Sequence, residues 1–222
     1  METDVITIDG PTSSGKNSVG FLLAKKLGYQ YIDSGSIYRA GCIFILRNKI
    51  SLDDKDKIVE VFKNLKIEIK NDNEKFRIFA NGEDVTEILH NAEVTKIVPI
   101  VAAIRNVREA AKPIKMNLST AKNTVMTGRD IGSEIFPDAK HKFFLTAQTK
   151  VRANRRFEQL FKKNPSIEYE VVLKDMIDRD KQDTERKFSP LRIPEDAVSI
   201  DNTNLTVEES VEKMLEQIRN NA

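Results

Sequence analysis

Five short apolar runs punctuate the chain: Val5–Ile8, Tyr29–Ile32, Thr124–Thr127, His141–Leu145 and Val198–Asp201. Between most of them, apolar residues recur every three to four positions, the spacing of a helix with one buried face. Short, uniformly apolar strands separated by helices predict a parallel sheet covered on both sides. The expected class is α/β, a five-stranded parallel sheet with helices on both faces.

Val19, Leu22, Leu23 and Leu27 stripe a helix from about Asn17 to Leu27, stopped by Gly28. Ile37, Ala40, Ile43 and Phe44 stripe another, from about Ser36 to Arg47, after the turn Asp33-Ser34-Gly35. Ser51–Asp54 begins a third, to about Asn64. The period then changes to two. Leu65–Lys70 alternates, Asn71–Asn73 is turn-like, Phe76–Phe79 reads as a partner strand, and Asn81-Gly82 leads into a third strand near Glu83–Val85. Residues 66–87 are therefore a small antiparallel β insertion. Helical character resumes from about Ala92 to Ala121, where Pro99 and Pro113 are each expected to kink or restart the helix. Further helices are predicted at about Gln148–Lys163 and Glu168–Asp180, followed by a charged loop ending near Pro190. Thr206–Glu209 is a capping box that opens the last helix.

Candidate chemistry begins between the first strand and the first helix. Gly10-Pro11-Thr12-Ser13-Ser14-Gly15-Lys16 has the G-x-x-x-x-G-K spacing of a phosphate-cradling loop. Its glycines allow a tight turn with N–H groups pointing at an anion, the helix dipole adds positive potential, and Lys16 reaches the outer phosphates. The position after the lysine normally carries a hydroxyl for Mg²⁺; here it is Asn17, and Ser18 supplies the hydroxyl one place later. A turn that merely caps a helix is the bland alternative, and the strand, lysine and helix argue against it.

Ligands in such sheets bind beyond the carboxyl ends of the strands. Asp33, Ser34 and Arg39, and Gly128-Arg129-Asp130, follow strands there and could form a second anion site or, more simply, a capped helix and an ion pair. Arg152, Arg155 and Arg156 share a helix, and Arg179 and Arg186 flank Asp180–Glu185. Closed over a triphosphate, they would place guanidinium groups on the moving phosphoryl; left alone they are a solvated basic face. His90 and His141 lack metal-ligand neighbours in the sequence, and Cys42 lies on an apolar helix side, so all three read as structural.

Composition narrows the setting. The 222 residues are 40% apolar and 32% charged, an ordinary globular balance for one domain. A formal net charge of +2 calls for no nucleic acid or membrane partner, and no apolar run is long enough to span a bilayer. A single cysteine excludes an internal disulfide framework, which suits the cytoplasm, and the acidic start does not resemble a signal peptide.

The segments Ile6–Ser18, Tyr31–Ala40, Val101–Ala110, Gly128–Ala139, Lys142–Ala147, Arg152–Arg156, Arg179–Arg186 and Ser189–Leu191 together resemble the bacterial cytidylate (CMP) kinases, of the nucleoside monophosphate kinase group of P-loop kinases. The likeness runs over nearly the whole chain, and Tyr31–Arg39 and Gly128–Ala139 are far more specific than the loop. It implies transfer of the ATP γ-phosphoryl group to CMP or dCMP with Mg²⁺, by a monomer. It implies that Gly10–Ser18 hold ATP, with Ser18 toward the metal. Asp33, Ser34, Arg39, Arg108, Arg129, Asp130, Arg179 and Asp183 would hold the acceptor. Lys16, Arg152, Arg156, Arg179 and Arg186 would serve transfer. Residues 36–110 become an acceptor-binding subdomain containing the β insertion, and 148–190 a lid region. Three positions depart from the family pattern: Asn17 replaces a small residue, Thr127 an acidic one, and Pro99 a serine that helps read the base. A related kinase with shifted acceptor choice, or a nucleotide-binding protein with weakened catalysis, is the alternative.

Overall fold

A computed structural model describes residues 3–71, 76–162 and 164–220. The strands are β1 (Val5–Asp9), β2 (Gln30–Asp33), β3 (Ile67–Asn71), β4 (Phe76–Ala80), β5 (Glu83–Asp84), β6 (Thr124–Gly128), β7 (His141–Thr146) and β8 (Val198–Asp201). The helices are α1 (Lys16–Leu27), α2 (Ser34–Arg47), α3 (Lys55–Lys63), α4 (Ala92–Ala102), α5 (Arg105–Leu118), α6 (Thr149–Phe161), α7 (Tyr169–Glu185) and α8 (Val207–Asn220). A 3₁₀ turn covers Thr86–Ile88 and a π-type turn covers Ile131–Ile135.

The large sheet has the order β2-β6-β1-β7-β8, parallel throughout. Successive side chains leave a strand on opposite faces, and the core divides accordingly. Ile6, Ile8, Tyr31, Val125 and Phe143 pack with Val19 and Leu23 of α1 and Val211 and Met214 of α8. Ile32 and Met126, one residue out of step with Tyr31 and Val125, pack on the other face against Ile131 and Ile135. Both faces are covered, as the apolar strands require. A separate core gathers α2 to α5 around Phe62, Ile37, Ile45 and Ile58.

The insertion forms an antiparallel sheet, β3-β4-β5, with Ile67 opposite Ala80 and Asn71 opposite Phe76. Part of its expected first turn, Asp72-Asn73, lies outside the described residues. It is fastened to the large sheet beside β2. The Asn71 amide donates to the Tyr31 carbonyl at 2.9 Å, and the Phe76 and Tyr31 rings meet edge to face at 5.4 Å.

Two expectations are corrected. The helix after Ala92 breaks at Ala103–Ile104, not at a proline, and Pro99 and Pro113 lie inside α4 and α5. Each proline removes one helix hydrogen bond. Burial of Val94, Ile97, Val98 and Val101 along α4 offsets that loss. The segment Asp180–Glu185, read as a charged loop, is the last part of α7. Its density of charge reflects tertiary ion pairs: Asp180 meets Arg152, and Asp183 meets Arg129 and Arg186. The ends shift by smaller amounts elsewhere. Helix α2 begins at Ser34 because the Asp33 side chain accepts from the Gly35 N–H and caps it. The capping box of α8 forms both bonds, Glu209 N–H to Thr206 Oγ1 and Thr206 N–H to the Glu209 carboxylate.

Candidate active site

The loop after β1 is shaped by close approach. A Cβ on Gly10 would stand 2.1 Å from the Leu145 carbonyl oxygen, so only glycine fits there. Ser13 and Gly15 take left-handed backbone with φ of 59° and 86°, and α1 begins at Lys16. Lys16 is buried and its ammonium donates to the Pro11 carbonyl at 3.0 Å. Burial, and then the neighbouring Arg129 charge, push it well below the usual lysine value, against the pull of Asp33 and Asp183. It is a desolvated cation folded back on its own loop, among other cations, which an incoming polyanion would relieve. Asn17 and Ser18 are exposed in the first turn of α1.

Three side chains from distant elements converge on Thr12. Its N–H donates to Asp180 Oδ1, its carbonyl accepts from Arg152 Nη1 at 2.8 Å, and its hydroxyl accepts from Arg129 Nη2 at 3.2 Å. Arg152 is itself paired with Asp180. From the next turn of α6, Arg155 donates to Asn202, whose amide donates to the Ser14 carbonyl at 2.9 Å. The α6–α7 hairpin is thus laid directly on the loop.

The opposite wall is built from β2, β6 and α5. Asp33 accepts from the Asn17 amide at 2.9 Å, while Thr127 stands between Asn17 Oδ1 and the Tyr31 hydroxyl. Ser34 is buried at the start of α2, and a Cβ on Gly128 would come 2.6 Å from its Oγ. Arg39 donates to the Leu89 carbonyl and to Thr95, and its charge is felt together with those of Asp33, Arg156 and Arg129. Arg108 pairs with Asp130 in a buried bridge, its Nη1 on the Ala102 carbonyl. Arg129 donates to Asp183, which also holds Arg186.

The expected residues are therefore together, but with too many cations for their carboxylates. Arg108 Nε, Arg179 Nε and Arg186 Nη2 are buried with no partner among the described residues. Burial, then Arg129, lowers Arg179 to about 10, Asp183 only partly opposing. Unpaired buried donors cost about 1–3 kcal/mol each, and an anionic ligand would satisfy them. Beside them, a cavity of about 340 Å³ opens between α4 and α7, lined by Pro99, Ile100, Ala103, Gln182, Asp183, Glu185 and Arg186.

Several participants were not singled out from the sequence. Asp180 stands next to Arg179, and Asp9 at the end of β1 accepts from the Ile131 and Gly132 N–H groups at 2.9 and 2.8 Å, holding the turn after Asp130. Asp9 follows the same strand-end rule as Asp33 and could have been found by it. His141 and Cys42 are buried, and burial raises the Cys42 thiol to about 12. Among the described residues no cluster of His, Cys, Asp and Glu could by itself hold a metal ion.

The sequence profile of the family described as cytidylate kinase matches residues 6–220. The chain belongs to the cytidylate kinase family. The curated cytidylate kinase of Caldanaerobacter subterraneus subsp. tengcongensis is 47% identical over 216 residues, covering 97% of this chain and 95% of the relative. That of Bacillus subtilis is 40% identical over 213 residues, covering 96% of this chain and 95% of the relative. Among solved structures, an uncharacterized Eubacterium ventriosum protein superimposes with a TM-score of 0.55 at 13% identity, covering 98% of this chain and 99% of that one. At that identity it shows the fold alone. In this family member, no described helix is long and apolar enough to cross a membrane.

Proposed function

We propose that this cytidylate kinase family member transfers the ATP γ-phosphoryl group to the phosphate of CMP or dCMP, giving the diphosphate and ADP. The observation that carries the reading is the surplus of buried, unpaired guanidinium N–H groups on Arg108, Arg179 and Arg186, in a site shared with the desolvated Lys16. Phosphoryl transfer needs positioned positive charge around the moving group more than covalent chemistry. Gly10–Ser18 cradle the donor phosphates. Lys16, Arg152, Arg156, Arg179 and Arg186 neutralise charge on the transferring oxygens. Asp33, Ser34 and Arg39, with Arg129, Arg179 and Asp183, hold the acceptor sugar and phosphate, and Arg108 and Asp130 read its base. The acceptor phosphate is the nucleophile and is already ionised, so no general base is required.

Magnesium enters with ATP. Ser18, exposed in the first turn of α1, and the Asp33 carboxylate facing Lys16 offer the hard oxygen donors that suit it, alongside phosphate oxygens and water. The ion would offset phosphate charge during transfer. Residues 36–110 act as the acceptor-binding subdomain and 148–190 as a lid that excludes water. The protein works as a monomer in the cytoplasm.

The test is a coupled ADP-release assay with Mg-ATP and a panel of CMP, dCMP, UMP and AMP. CMP and dCMP are expected to turn over fastest. Pro99, Ile100 and Ala103 line the cavity with apolar surface. UMP or AMP overtaking CMP would establish the shifted-acceptor alternative, and ATP binding without any turnover would reject the kinase reading.

A further inference from the structure

Lys115 of α5 is one of the largest fully buried side chains of the molecule, only 1% exposed. A lysine ammonium loses several kcal/mol of hydration when buried, and it persists there only when something nearby compensates. Its hydrogen-bond partner is a neutral hydroxyl. Nζ donates to the Tyr38 hydroxyl at 3.0 Å and lies 4.9 Å from the centre of the Tyr38 ring. The other side of the account is Asp130. Burial acts against that carboxylate, and the charges of Lys115, Arg108 and Arg186 keep it ionised, Arg108 through a direct hydrogen bond as well. The Asp130 charge in turn adds to the burial that raises Asp9 on β1. The same Tyr38 ring also carries the Arg108 guanidinium, 5.6 Å from its centre. Lys115 and Arg108 therefore share one aromatic ring and one carboxylate. Only Arg108 bonds that carboxylate directly.

That asymmetry has a chemical use. Arg108 Nη2 donates to Asp130, and its Nε has no partner among the described residues. A ligand that recruits Arg108 draws on the cation that Asp130 relies on. A carboxylate left alone at that depth would take up a proton and become a donor; kept ionised, it only accepts. An acceptor-only group at the base edge selects an exocyclic amino group and rejects a carbonyl.

We propose that Lys115 is a specificity-determining positioning residue, which supplies from beside the Tyr38 hydroxyl the fixed charge that keeps Asp130 an acceptor while Arg108 engages the ligand. The inference rests on the reading of Arg108 and Asp130 as the base-reading pair. Lys115 itself is too deeply buried to touch the nucleotide. It acts through Asp130 and through the seating of the Tyr38 ring, and it favours acceptor bases that carry an amino group.

The test compares Lys115→Gln, which keeps an N–H for Tyr38 and drops the charge, with Lys115→Arg, which keeps the charge. Steady-state kinetics are measured with CMP and UMP at saturating Mg-ATP, alongside KM for ATP and the melting temperature. Lys115→Gln is expected to raise KM for CMP and to lower the CMP:UMP ratio of kcat/KM by roughly tenfold, the scale of one hydrogen bond to a charged group. KM for ATP and kcat should stay within about twofold, and Lys115→Arg should keep most of the base preference. A melting point that falls while the CMP:UMP ratio holds would overturn the proposal and leave a core lysine. Loss of the ratio in Lys115→Arg as well would overturn it too, by showing that shape and not charge is read. Asp130→Asn separates the two levels. If it moves the ratio and Lys115→Gln does not, the Lys115 inference alone fails. If neither moves it, the base-reading assignment fails with it.

Discussion

The backbone N–H of Thr12 donates to Asp180 Oδ1 at 2.8 Å, across 168 residues of chain. A carboxylate from α7 thereby occupies an N–H of the loop after β1, and the same carboxylate pairs with Arg152. Replacing Asp180 with Ala removes the carboxylate partner of Arg152 and one of the contacts that fasten the hairpin to the loop. The expected outcome is a fall in kcat/KM for ATP of roughly tenfold or more, since charge-assisted hydrogen bonds are the stronger class. Steady-state kinetics with varied ATP decide it. An unchanged value would make the contact simple packing.

Lys16→Ala should act mainly on kcat. The ammonium is buried, displaced from its ordinary titration range and free of a carboxylate partner at bonding distance. A desolvated charge of this kind stabilises developing negative charge most strongly in the transition state. A drop in kcat on the order of 10²-fold or more is expected. A rise in KM alone would show that it binds ground and transition states equally.

The Arg108–Asp130 bridge carries stability, since both side chains are less than a tenth exposed. Arg108→Ala leaves the Asp130 carboxylate buried with its direct partner gone. The loss expected is roughly 3 kcal/mol, the typical cost of breaking a buried pair from one side. Urea denaturation at neutral pH measures it, and a loss within error of zero would mean that Lys115 and Arg186 already suffice.

Asn17 and Thr127 belong to one network, because Thr127 donates toward Asn17 Oδ1 and Asn17 donates to Asp33. Asn17→Ala and Thr127→Val should therefore be non-additive in stability, with the double variant losing less than the two singles combined. A coupling of about 0.5 kcal/mol or more is expected from a double-mutant cycle. Thr127→Asp would add a carboxylate to the same network. That carboxylate would be fully buried near Asp33, and Asn17 could serve it only by releasing Asp33.

Asp9 titrates near 6, raised chiefly by burial and held down by the Ile131 and Gly132 N–H groups. Its folded value lies above the unfolded one, so the folded chain binds this proton more tightly. This group therefore favours folding most at low pH, and that contribution fades as pH rises from about 4 through 6. The Ile131 and Gly132 amide resonances should shift with a midpoint near 6 in the wild type and stay flat in Asp9→Asn. Amides that do not move between pH 5 and 7 would place the proton elsewhere.

Local patterns were legible where one physical rule acts alone. Period two exposed the β3–β4 pair, period 3.6 exposed α1, α2 and α8, and Thr206–Glu209 marked a cap that forms both its bonds. The strand-end rule brought Asp33 and Asp130 into view. It failed to raise Asp180, because nothing local distinguishes that residue from the other charges around it. The break at Ala103–Ile104 was missed for a related reason: buried packing along α4 outweighs the one bond that Pro99 removes.

The amino-acid sequence by itself determined the sheet class, the glycine-bracketed loop before α1 and the inventory of arginines, because backbone preferences and hydrophobic periodicity are short-range. Only the tertiary structure decided how those charges are shared: Asp180 on Thr12, Arg108 on Asp130, and Asn17 across to Asp33. Pairing of that kind depends on distances between elements far apart in the chain and on how much water the packed site leaves around each group.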